Sequence, residues 1–76
     1  MKSVAELSIG QRGVIRRVEG TDGISVRLLE MGLTPGVELR LIGVAPLGDP
    51  LELELRGYRL SVRKSEAARV LLDISE

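Results

Sequence analysis

The sequence predicts a mostly β fold: a small five-stranded barrel, with one helix inserted after the first strand and short helical turns near both ends. Three observations carry this reading. Apolar and charged residues alternate over Val37–Leu41 and Leu51–Leu55, the signature of half-buried strands. Helical spacing appears clearly once, at Ile24, Leu28 and Met31. Seventy-six residues make one domain, because so short a chain buries only about 60% of its unfolded surface and cannot support two cores.

The elements follow in order. Ser3-Val4-Ala5-Glu6 has the form of a capping box and predicts one helical turn. Gly10 and Gly13 bracket a break, after which Val14–Val18 has the β-branched content of a first strand. Gly20-Thr21-Asp22-Gly23 is turn chemistry containing an N-cap, so a helix is expected over residues 23–31. Gly32 supplies the left-handed C′ residue, and Leu33 is placed for the apolar contact of a Schellman motif. Thr34-Pro35-Gly36 reads as a type II turn leading into the second strand, Val37–Leu41.

Two prolines and a glycine between Ala45 and Pro50 exclude regular pairing and predict a loop. Leu51–Leu55 is the third strand. With Arg56-Gly57 as a two-residue turn, Leu55 opposes Tyr58, Glu54 opposes Arg59, Leu53 opposes Leu60, Glu52 opposes Ser61 and Leu51 opposes Val62. A slip by one residue would set leucines against arginine and serine, so the register is well specified. Ser65–Arg69 reads as a capped helical turn and Val70–Ile74 as a closing strand. Five short strands are best protected by closure into a barrel, which leaves no long open edge.

Composition narrows the function. Histidine and cysteine are absent, which removes disulfides, thiolate and imidazole metal ligands, and the usual nucleophile–base pairs. No phosphate-cradling glycine pattern occurs, so no catalytic activity is expected. Asp22, Glu30, Asp49, Glu66 and Asp73 are oxygen donors that suit at most weak binding of a divalent cation, and as exposed carboxylates they read first as solvated surface. Eleven Lys and Arg balance eleven Asp and Glu, and the one aromatic residue is Tyr58. Without a basic field or stacking aromatics, no nucleic-acid partner is expected. No apolar run approaches the length of a membrane helix and no signal-peptide core is present, so the reading is a cytoplasmic chain with no direct membrane insertion.

Three segments together are more specific: Leu7-Ser8-Ile9-Gly10-Gln11-Arg12-Gly13, Arg27-Leu28-Leu29-Glu30-Met31-Gly32-Leu33-Thr34-Pro35-Gly36, and Ala45-Pro46-Leu47-Gly48-Asp49-Pro50. In this order and spacing they closely resemble the FeoA family of ferrous-iron transport accessory proteins. The stretch from Arg56 to Arg63 and Glu66-Ala67-Ala68 continue the resemblance, which covers residues 3–74. It implies an SH3-like barrel and a cytoplasmic adaptor that assists FeoB, a membrane transporter with a cytoplasmic G domain. The same module resembles the C-terminal domain of metal-dependent repressors of the diphtheria toxin repressor type, which makes a metal-sensing or metal-carrying module the alternative. Side chains that hold metal in some family members have no histidine or cysteine counterpart here.

Two surfaces are candidates for partner binding. Leu47, Gly48 and Asp49 sit on a loop stiffened by prolines, which loses little freedom on docking, with Leu47 as an apolar anchor. Arg27 and Glu30, one turn apart opposite the core stripe of the helix, form the second surface, or simply a surface ion pair. Arg56, Arg59, Arg63 and Lys64 are offset by Glu52 and Glu54 and read as a solvated hairpin, with Tyr58 as an aromatic rim over the barrel.

Overall fold

The computed structural model describes residues 1–75. Strand β1 (Lys2–Ser3) leads into a 3₁₀ turn (Val4–Glu6), followed by β2 (Arg12–Val18), helix α1 (Gly23–Glu30), β3 (Glu38–Val44), β4 (Leu51–Leu55), β5 (Tyr58–Val62), helix α2 (Lys64–Ala67) and β6 (Val70–Ser75). All strands are antiparallel and form one sheet in the order β1-β6-β2-β3-β4-β5. The sheet has six strands where the sequence predicts five. The extra one is β1, whose two residues pair with Leu71 and Leu72; two residues are too few to show a period.

The alternating leucines behave as their pattern requires. Leu39, Leu41, Leu51, Leu53 and Leu55 are buried together with Ile15, Leu28, Leu33, Val62, Val70 and Leu72 in a single aliphatic core. Burying one such side chain contributes about 1.5–3 kcal/mol, so packing alone can hold a domain with no cysteine. Curvature comes from two register shifts, one between Ile15 and Arg17 on β2 and one between Leu41 and Gly43 on β3. Each bulge bends its strand and increases the local twist, which wraps the sheet around the core. The first bulge also explains the consecutive charges Arg16 and Arg17, both exposed in the middle of a strand.

The β4–β5 hairpin has the predicted register at all five pairs. Its turn places Arg56 at φ 51 and Gly57 at φ 80, the paired left-handed conformation of a type I′ turn. Helix α1 is capped as its sequence dictates. Asp22 Oδ1 accepts the Ser25 amide at 3.2 Å, and at the other end Gly32 N donates to Leu29 O while Leu33 N donates to Leu28 O. Those two bonds define a Schellman motif, with Gly32 at φ +105. Glu6 closes its end of the capping box by accepting the Ser3 amide at 2.7 Å; that bond holds its carboxyl below the usual carboxylate range.

Candidate functional site

The loop between β3 and β4 is a tight structure. Gly48 N donates to Ala45 O at 2.7 Å, and Ala45 N donates to Pro50 O at 3.0 Å across the base of the loop. These bonds fix the chain reversal and push Leu47 outward, where it is 97% exposed. A leucine held so far into water by a braced backbone is an apolar group presented at small entropic cost. Asp49 has a different position from its neighbours: its Oδ1 accepts the Lys64 amide at 2.9 Å, at the first turn of α2. It ties the loop to α2, so its carboxylate braces the surface that Leu47 presents.

On α1 the alternative of an ion pair between Arg27 and Glu30 is corrected. Arg27 instead forms an ion pair with Glu66 of α2, whose side chain is only 13% exposed. The barrel brings α2 beside α1, and a largely buried carboxylate attracts a guanidinium more strongly than an exposed one does. Glu30 is exposed at the last turn of the helix. A second link nearby joins Arg69, just beyond α2, to Oδ1 of Asp22, the N-cap of α1, at 2.6 Å. With the Ser25 amide, Arg69 lowers the Asp22 pKa to about 2. The short α2 turn thus touches both candidate surfaces: Lys64 meets the loop and Glu66 meets the helix.

Three features escaped the sequence reading. Val26 is 50% exposed and Leu29 is 39% exposed on the outer side of α1, beside Arg27 and Glu30. Their signal was present as the two apolar helix residues outside the Ile24–Leu28–Met31 stripe. Met31 and Ile24 are themselves only partly buried against the core. Tyr58 is more than a rim, since its hydroxyl donates to Met31 O at 2.6 Å and so caps the helix C-terminus. Among the described residues, no three acidic side chains gather where a metal ion could be held, and their oxygen donors are dispersed rather than arranged as a selective transition-metal site.

A model of the FeoA domain matches residues 2–74 of the chain. The chain belongs to the FeoA family. A fusion of Fe(2+) transport protein A with the Fe(2+) transporter FeoB, from Porphyromonas gingivalis, is 35% identical over 71 residues. That match takes in 93% of this chain but 8% of the fusion protein, so this FeoA domain spans less than a tenth of that curated relative. The FeoA-like protein of Clostridium acetobutylicum, solved by NMR, has a TM-score of 0.90 at 34% identity, covering 96% of this chain and 85% of that one. FeoA of Stenotrophomonas maltophilia, described as a prokaryotic SH3 domain protein and solved with zinc, has a TM-score of 0.83 at 32% identity, covering 96% and 91%. The predicted SH3-like class is therefore the observed one. A manganese-dependent transcriptional repressor shares the fold at TM-score 0.89 and 12% identity, over 97% of this chain and 36% of its own, a likeness of fold alone.

Proposed function

We propose that this FeoA-family chain is a cytoplasmic adaptor in ferrous iron uptake that acts by binding the cytoplasmic part of a FeoB-type transporter. The observation that carries this reading is the fusion relative, in which a FeoA domain and FeoB are one polypeptide. Covalent linkage raises the effective concentration of two modules for each other, which benefits function only where the two work in contact. No helix among the described residues is long and apolar enough to cross a membrane, which agrees with an adaptor that meets the transporter from one side. Ferrous iron is the transporter's cargo, and the adaptor has no need to hold it.

Within this reading Leu47 is the anchor, set in its loop by Gly48 and braced by Asp49, and Arg27 and Glu30 frame the Val26–Leu29 pair on the helix. Apolar residues ringed by charge suit a transient interface, in which a few buried side chains carry the affinity and the charged rim orients it. The test is the affinity of the chain for the transporter's G domain. Leu47→Ala removes most of the apolar area of the anchor and is expected to weaken binding roughly tenfold. Unchanged affinity would remove the loop from the interface.

A further inference from the structure

Strand β5 is one of the two edges of the sheet, and among the described residues its one strand partner is β4. The hairpin register decides which of its backbone groups face outward. In a two-residue hairpin the residues flanking the turn exchange both hydrogen bonds, and bonded and non-bonded pairs then alternate. Tyr58, Leu60 and Val62 therefore bond to β4, while the N–H and C=O groups of Arg59 and Ser61 point away from the sheet. No backbone partner for either residue occurs among the described residues. Both are exposed, and the exposed Arg63 and Lys64 follow directly.

Side chains along one row of the sheet indicate what fits beside this edge. Arg12 stands opposite Arg40, Arg40 opposite Glu54, and Glu54 opposite Arg59. Arg40 donates to Glu54 Oε1 at 3.3 Å, so the row runs cation, anion, cation across β3, β4 and β5 and ends on Arg59 with an open flank. In the next row Glu52 stands opposite Ser61. Cross-strand neighbours of opposite charge stabilise a sheet and like charges oppose it. A second copy of the chain is a poor occupant: pairing β5 with itself brings Arg59, Arg63 and Lys64 of two chains together, the usual guard of an edge strand against self-association.

We propose that β5 accepts an extended acidic segment of a partner protein as an added strand, with a carboxylate facing Arg59 and a small hydroxyl or β-branched residue facing Ser61. The main chain of Arg59 and Ser61 supplies the hydrogen bonds, and Arg59 at the end of the row selects acid over base. This edge is defined by strand register and stands whichever of the Leu47 and α1 surfaces meets the transporter.

The experiment is an amide chemical-shift titration of the labelled chain with a short capped peptide of the repeat Glu-Val-Thr-Val, which sets glutamate and threonine two residues apart on one strand face. A lysine-for-glutamate peptide is the control. Saturable shifts and slowed amide exchange are expected at Arg59 and Ser61, with smaller changes at Leu60 and Val62, whose amides already bond to β4. Arg59→Glu should weaken binding about tenfold. Ser61→Pro removes an outward N–H without touching the β4 ladder and should abolish binding; should that variant fail to fold, Arg59→Glu decides alone. Absence of shifts with the acidic peptide, equal binding of the lysine peptide, shifts confined to other elements, or concentration-dependent shifts at β5 without peptide would each overturn the proposal.

Discussion

Gly32→Ala is the sharpest test of how the helix is fastened to the barrel. Gly32 has φ +105, a conformation that an alanine adopts only with strain of about 1–2 kcal/mol. A Cβ there would also collide with the Tyr58 hydroxyl, while meeting Leu55 Cδ1 at an ordinary 3.9 Å. Displacing that hydroxyl breaks its bond to Met31 O, a further loss of about 1 kcal/mol. The sum, about 2–3 kcal/mol, is large beside the roughly 4–11 kcal/mol expected for a domain of this length, and lowers Tm by about 10–20 °C. The assay is a double-mutant cycle by thermal or denaturant unfolding. In a Tyr58→Phe background the hydroxyl is already gone, so Gly32→Ala should cost only the backbone strain and the coupling should be about 1 kcal/mol. An equal cost of Gly32→Ala in both backgrounds would refute the account of Tyr58 as the cap of α1.

Further expectations concern the braces and the core. Asp49→Ala should lower stability by about 1 kcal/mol, because the Lys64 amide loses its acceptor, whereas Leu47→Ala, at an exposed tip, should leave stability within about 0.5 kcal/mol; unfolding midpoints separate the two. The folded pKa of Asp22 lies below its usual 3.8, at about 2, so its contribution is fully present above about pH 4 and is lost as pH falls through 2. Asp22→Asn should flatten that acid limb in urea midpoints measured against pH. Leu53→Ala empties a fully buried site in the core and should cost about 2–5 kcal/mol, enough to leave much of the chain unfolded near 40 °C by circular dichroism.

The parts legible in the sequence are those ruled by short-range periodicity. The β4–β5 register followed from alternating leucines and a two-residue turn, and the end of α1 followed from glycine at C′ with leucine after it. Arg27 shows where such reading stops. Its helical neighbour Glu30 is the partner that spacing can see, but Glu66, 39 positions away, holds the ion pair because the fold brings its side chain within reach of Arg27. The bonds of Asp49 and Tyr58 lie beyond such reading for the same reason, since the groups they bond, the Lys64 amide and the Met31 carbonyl, belong to elements that meet only after folding. Arg27, Glu30, Leu47 and Asp49 are exposed, as their polar or loop settings suggest, but the bonds of Asp49 to Lys64 and of Arg27 to Glu66 emerge only from the tertiary contacts.

The proposed function requires contact between this chain and a FeoB-type transporter. Its most direct measurement is an amide chemical-shift titration of the labelled chain with the transporter's G domain, without nucleotide and with GTP. Shifts are expected at Leu47 and Gly48 and at Val26–Glu30 in at least one nucleotide state, with the core of β4 undisturbed. No shift in any nucleotide state would contradict it.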